Sequence, residues 1–367
     1  MFSRAELVPG TDNYKFYYSL HPENQAIDDA FRQNPGLLSA QASKYDPITF
    51  SIAQANFMTV AYFKHNVDGS PSQTKTTVNP REISAFIKRW MKKTGAAEVG
   101  ITYLKDYHLY SIRGRAYNYN EPVKNTHKYA IAIIVEMDKE LLDAAPAGPT
   151  IMESSQQYLN AGNLAMQLAQ FIRNLGYQAR AHIDGNYEVV CPLVAQDAGL
   201  GAIGRMGLLM TPRYGPRVRI SVVTTDMPLV TDKPKDYSWM TTFCYYCKKC
   251  AYNCPSKAIS TEPPIKINNI LRWKINQEKC YTYWTRVGTD CARCISVCPF
   301  AHPNNLLHNT IRFFISKSYL FARFALWMDN VFYGRHPRPR IPQWMVQVIK
   351  TTKQKAPHPK NKMRDYA

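Results

Sequence analysis

The chain has 367 residues, 45% of them hydrophobic and 12% aromatic, which excludes a disordered protein and allows two or three units with their own cores. Its formal net charge is +19, with 46 Lys and Arg against 27 Asp and Glu, so an anionic partner is expected: nucleic acid, an acidic membrane surface, an acidic electron carrier or a charged cofactor. No uninterrupted apolar run reaches the length of a spanning helix, and no apolar leader or twin-arginine pair opens the sequence.

Residues 1–80 read as a polar, turn-rich covering segment, with 51–58 as a short covering element. From Asn79-Pro80 the pattern sharpens. Proline suits a first helical turn, and Ile83, Phe86, Ile87 and Trp90 share a face. Gly95 fits the cap, and residues 96–104 follow as a strand. Residues 129–135 are apolar without alternation, as in a strand covered on both sides. The Pro- and Gly-rich stretch 144–149 reads as a connection, and a helix is expected from Glu153 to Leu175, capped by Ser154 or Ser155. Tyr158 and Ile172 stand fourteen residues apart, close to four full turns, so Tyr158 points inward. A strand at 179–183 precedes the turn Asp184-Gly185-Asn186.

The glycine-dense stretch 198–207 lacks the strand-to-helix context of a dinucleotide fingerprint. Its glycines allow a backbone to approach a large flat ligand. A turn at 215–219 leads into a strand at 220–225. Residues 306–330 read as an aromatic-rich helical stretch, and a proline-broken basic tail follows. That tail is either solvated or docked on a membrane face or a partner.

Eight of the nine cysteines lie between Cys244 and Pro299. Cys244, Cys247, Cys250 and Cys254-Pro255 form the C-x2-C-x2-C-x3-C-P run of bacterial [4Fe–4S] ferredoxins. Cys291, Cys294 and Cys298-Pro299 repeat its ending, with Cys280 upstream and ten residues between it and Cys291. Zinc knuckles have no use for the third closely spaced cysteine, and disulfides no reason for proline-terminated runs. In two-cluster ferredoxins the last cysteine of each run serves the other cluster. One cluster is therefore assigned Cys244, Cys247, Cys250 and Cys298, and the other Cys254, Cys280, Cys291 and Cys294. Cys191 reads as a buried structural thiol. Two clusters make an electron conduit, and the large preceding α/β region implies a redox cofactor or substrate for it to feed.

The motif order resembles the catalytic subunit of corrinoid-dependent reductive dehalogenases over about residues 80–345. It runs Tyr158, Phe171-Ile172-Arg173, Ala198-Gly199-Leu200-Gly201, Gly204-Arg205-Met206-Gly207, Pro212 to Arg219, Thr225 to Leu229, then both cysteine runs. Tyr283-Trp284, Phe300, Met328-Asp329 and Tyr333-Gly334 add to the likeness. The resemblance implies an α+β fold with a nitroreductase-like cobalamin-binding core (81–235) and a ferredoxin-like two-[4Fe–4S] domain (236–303). A covering segment (1–80), a C-terminal helical segment (304–345) and a basic tail (346–367) complete that division. It implies a base-off corrinoid and replacement of a halogen of an organohalide by hydrogen. Tyr158 would be the proton donor, Arg219 its cationic neighbour and Asn186 a pocket amide, with Asp184 competing for that place. Gly199, Gly201, Arg205 and Gly207 would bind the cofactor.

An electron-donor protein, ferredoxin-like, flavodoxin-like or linked to membrane quinol, and a small membrane anchor are the partners so implied. Nucleic acid is not expected on this reading. Without a twin-arginine pair the chain reads as a cytoplasmic or membrane-associated member, or a mature form. Two rivals remain. An epoxyqueuosine reductase-like tRNA-modifying enzyme shares the glycine loop and the clusters, and Asp184 and the charge favour it. A non-catalytic electron-transfer subunit would need neither Tyr158 nor Arg219.

Overall fold

The computed structural model describes residues 1–115, 119–267 and 270–355. Three helices open the chain: α1 (Phe2–Ala5), α2 (Asp12–Leu20) and α3 (Pro22–Arg32). Thr11 caps α2 by accepting from the Tyr14 amide. Helix α4 (Pro47–Phe63) starts at Asp46, whose carboxylate accepts from the Thr49 amide, and has proline in its first turn. The segment expected to be turn-rich is thus mostly helical. Asp46-Pro47 carries the start signal that marks α5 (Pro80–Lys93) at Asn79-Pro80.

The core sheet contains β1 (Glu98–Tyr103), β2 (Tyr129–Glu136), β3 (Ala179–His182) and β6 (Val218–Thr225) in the order β1-β2-β6-β3, every pair antiparallel. In β2, Ile131, Ile133 and Val135 pack with Ile87 and Met91 of α5 and with Leu164, Leu168 and Ile172 of α7 (Gly148–Asn174). Ala130, Ala132 and Ile134 pack on the other side with Val194 and Ala195 of α8 (Cys191–Asp197). A strand covered on both faces gains nothing from alternation, which explains its continuous apolar run.

Helix α6 (Lys139–Leu142) leads into α7, which begins at Gly148, five residues before the expected start. Ser154 and Ser155 are therefore buried inside the helix and do not cap it. Ser155 accepts from Asn56 of α4. A Cβ at Gly148 would stand 2.0 Å from Thr49 Oγ1, so glycine lets α4 and α7 close on each other. Between α8 and β6, β4 (Ala202–Ile203) and β5 (Leu209–Met210) form a small hairpin.

The cysteine segment contains α9 (Ser238–Cys247), α10 (Lys249–Tyr252), the pair β7 (Ile265–Ile267) and β8 (Ile270–Arg272), α11 (Gln277–Val287) and α12 (Arg293–Ser296). The chain's start clasps it. Arg4 bridges Asp28 and Glu278, and Phe2 and Phe31 set their rings edge-on to Tyr281.

The expected aromatic-rich helical stretch is two helices, α13 (Leu306–Lys317) and α14 (Tyr319–Tyr333), broken at Ser318, which caps the second. Beyond the prolines α15 (Gln343–Lys355) runs across the boundary expected at 345. Its Met345 and Ile349 are buried against Met152 of α7, so this part of the tail packs on the chain itself. Residues 356–367, with the basic end of the expected tail, lie outside the described residues.

Candidate functional site

Strand periodicity places Arg219, Ser221 and Val223 of β6 on the side of the sheet that α7 covers; Ser221 donates to the Ala161 carbonyl of that helix. Helical periodicity brings Ser154, Tyr158 and Ala161 to the same contact. The Arg219 guanidinium sits over the Tyr158 ring, 4.7 Å from its centroid. Phe57 of α4 flanks that ring at 6.2 Å. Arg219 Nη2 donates to Ser154 Oγ and, at 2.9 Å, to Asp290 Oδ2. Asp290 is the residue before Cys291, so the cysteine segment reaches into the core here.

Tyr158 and Arg219 form part of the wall of a cavity of about 180 Å³. Tyr110, Tyr187, Cys191, Leu208, Pro216 and Ile220 also line it. Burial raises the Tyr158 hydroxyl above the ordinary tyrosine value. Arg219 opposes that rise, and Asp184 and Asp290 add to it. Burial wins, so the phenol keeps its proton across the neutral range. Burial works against the Arg219 charge, but Tyr158 and Asp290 outweigh it. Burial also raises the Asp290 carboxyl, against the pull of Arg219. Buried Arg219 Nε and Asp290 Oδ1 make no hydrogen bond within the protein.

Other expected positions lie elsewhere. Asn186 follows the turn, with Gly185 at φ +76°, but its amide is committed: Oδ1 accepts from Arg180 and Nδ2 donates to the Lys64 carbonyl. The next residue, Tyr187, reaches the cavity instead. Gly199 and Gly201 are packed against this chain's own backbone. A Cβ on them would stand 2.8 Å from Lys233 O and 2.1 Å from Met210 O. Arg205 is buried, donates to the carbonyls of Cys244, Tyr245, Ser260 and Glu262, and covers the Trp273 ring. It braces the junction between glycine loop and cysteine segment, in place of the expected cofactor contact. Gly207 has φ +73° and more room, its nearest neighbour being Ile275 at 3.5 Å. Cys191 is buried, as expected, and burial raises its thiol far above the ordinary value. It also lines the cavity, which spacing alone did not indicate.

The eight remaining cysteines gather in two groups. Cys244, Cys247, Cys250 and Cys298 line one small space with Arg205, Phe243 and Phe300. Cys254, Cys280, Cys291 and Cys294 are electrostatic neighbours. Burial first and then Cys254 push Cys280 up to about 11, and burial followed by Cys291 leads the rise at Cys294. Among the described residues no three His, Cys, Asp or Glu side chains converge on a point fit for a single ion. Four thiols ringing a space suit a multi-iron cluster, whose positive charge offsets the burial that otherwise keeps them protonated. The residues fit iron–sulfur clusters. For a corrinoid the fit is partial: Leu208, Leu209, Pro216, Val218 and Ile220 offer an apolar wall to one edge of a flat ring, and a ring of that size would extend past the cavity.

Residues 243–302 match the family model of the 4Fe-4S dicluster domain. The chain is 37% identical over 215 residues to a tetrachloroethene reductive dehalogenase of Sulfurospirillum multivorans, an alignment covering 57% of this chain and 42% of that protein. Among solved structures, it superposes with a TM-score of 0.73 at 25% identity on a catabolic reductive dehalogenase in complex with 3-bromo-4-hydroxybenzoic acid, covering 86% of this chain and 47% of the other. A reductive dehalogenase described in terms of B12-dependent dehalogenation gives a TM-score of 0.71, again at 25% identity and covering 86% and 47%. The chain thus spans less than half the length of the relatives it matches.

Proposed function

We propose that this chain, related by sequence and by fold to the reductive dehalogenases, replaces a halogen of an organohalide by hydrogen. The balance is R–X plus two electrons and one proton giving R–H and X⁻. The observation that carries the reading is the Arg219 guanidinium over the Tyr158 ring, both in the wall of one cavity.

Two [4Fe–4S] clusters would bring the electrons, one on Cys244, Cys247, Cys250 and Cys298, the other on Cys254, Cys280, Cys291 and Cys294. A base-off corrinoid, when bound, supplies the strongly reducing cobalt chemistry needed at a carbon–halogen bond. Leu208, Leu209, Pro216, Val218 and Ile220 would hold one edge of it, with Gly207 next to Leu208 in the chain. Tyr158 delivers the proton from its hydroxyl to carbon. Arg219 stabilises the tyrosinate left behind, so its charge matters more after transfer than before. Ser154 and Asp290 fix the guanidinium over the ring. Tyr110 and Tyr187 narrow the cavity beside Tyr158, and a substrate that fits between tyrosines is small and flat or compact. An electron-donor protein is the partner this reading requires.

The test is metal analysis of anaerobically prepared protein supplied with corrinoid, followed by halide release from a panel of organohalides. About one cobalt per eight iron, with halide released, is expected. Eight iron without cobalt in folded protein would reduce the chain to an electron carrier. Cobalt and iron without halide from any substrate would move it to another corrinoid chemistry.

A further inference from the structure

We propose that the outward face of α13 and α14 docks on an anionic lipid surface, with the first cysteine group directly behind the contact. A helix on a protein surface ordinarily turns large apolar residues inward and polar residues outward. Helix α14 carries large apolar residues on both sides. Ala322 and Ala325 are buried and Phe321 and Leu326 pack inward, yet Leu320 is 78% exposed, Trp327 59% and Val331 60%, and Phe324 is half exposed. These four stand at i, i+4, i+7 and i+11, within about 60° of one another on the helix at about 100° per residue.

Rings continue the face onto α13. Phe313–Phe314, Phe314–Phe321, Phe321–Phe324 and Phe324–Trp327 follow one another with centroids 5.5, 5.4, 6.1 and 5.8 Å apart. Leu306 and Leu307 extend the exposed apolar surface at the far end of α13. Single exposed apolar residues need no explanation, but a continuous aromatic ladder does.

Charge identifies the occupant. Between residues 306 and 350 the exposed Lys and Arg are Lys317, Arg323, Arg335, Arg338, Arg340 and Lys350. The sole acid there, Asp329, is buried between Lys249 and His302. Arg323 flanks the apolar stripe and lies over the Tyr319 and Tyr246 rings. A face of Trp, Phe and Leu that carries Lys317 and Arg323, with no exposed acid between residues 306 and 350, fits the boundary between acyl chains and anionic headgroups. No helix among the described residues is long and apolar enough to cross a membrane, so α13 and α14 lie along the surface. Behind them, Tyr319 meets Tyr246 of α9, and Lys249 of α10 pairs with Asp329.

The test is co-sedimentation of the whole iron-loaded chain with vesicles of phosphatidylcholine alone or mixed with phosphatidylglycerol, at low and high salt. Binding at least about tenfold stronger to the mixed vesicles, weakened by salt, is expected. The double variant Leu320→Glu/Phe324→Glu is expected to lose that binding while keeping its iron. Should it lose iron instead, Lys317→Gln/Arg323→Gln, made only at exposed cations, decides by whether the preference for phosphatidylglycerol falls. Equal binding to both vesicles, or none, overturns the proposal. So does a concentration-dependent dimer that Leu320→Glu/Phe324→Glu abolishes, because the face then belongs to a second copy of this chain.

Discussion

The cysteine segment and the Tyr158 cavity are built on different principles. The segment gathers its eight cysteines from 55 consecutive residues, from Cys244 to Cys298, and spacing along the chain does most of the arranging. The cavity draws on α7, β6, the start of α8, the turn after β5 and a carboxylate borrowed from the cysteine segment itself. A local site survives as long as its loop does. A composite site depends on every element that positions it, and Asp290 is where the two meet.

The largest effect should come from the local site. Cys298→Ser removes a thiol from the group of Cys244, Cys247 and Cys250, and iron per chain is expected to fall by about half, with halide release lost. Loss of all iron would show that the two groups assemble as one. Next comes Tyr158→Phe, which keeps the ring under Arg219 and deletes the proton. A fall in kcat of about 10² or more with iron and cobalt unchanged is expected. Undiminished turnover would remove the proton-donor role.

Asp290→Asn tests the junction. It keeps the shape and removes the charge, so Arg219 is held less firmly and kcat should fall by roughly tenfold, with KM little changed. The sign of the pH effect follows from the groups around Tyr158. Asp290 raises the Tyr158 pKa and Arg219 lowers it. Removing the aspartate charge therefore lowers that pKa, and the alkaline limb of the kcat profile moves to lower pH. Arg219→Gln moves it to higher pH. A variant that loses activity with an unmoved profile would mark Asp290 as structural only.

Two smaller effects concern stability. Arg205→Met removes the donor shared by four carbonyls at the junction, of which that of Glu262 keeps the Trp273 indole, and is expected to cost about 2 kcal/mol in denaturant unfolding. Asn79→Ala removes the cap that accepts from the Arg81 and Glu82 amides and should cost about 1 kcal/mol with halide release untouched.

Much of the core was legible. The start of α5 at Asn79-Pro80, the unbroken apolar strand β2 and the glycine after α7 are each signalled by residues within one element. The first 80 residues were not. Helix α3 is mostly polar with a narrow apolar face, and α2 is short and rich in tyrosine, so neither stands out from a turn-rich composition. Yet Thr11 and Asp46 are cap residues in plain view. The start of α7 was misplaced because Gly148 and Pro149 read as loop formers, whereas proline suits a first turn and glycine is needed there for close approach to Thr49.

For the site, the cysteine runs alone pointed to the iron–sulfur domain that residues 243–302 match, because such runs are specified by type and short-range spacing. The sequence also named Tyr158 and Arg219, through a motif order that resembles a family. Only the tertiary structure decided that Arg219 stacks on Tyr158, that Asp290 and Ser154 hold it, that Tyr187 rather than Asn186 faces the cavity, and that Arg205 braces a junction. Those depend on which side chains meet across β6, α7 and the loop before Cys291. Contacts such as Arg205 to Cys244, 39 positions apart, or Arg219 to Asp290, 71 apart, leave no periodic trace in a single chain, since any residue of suitable size and charge could stand at either end.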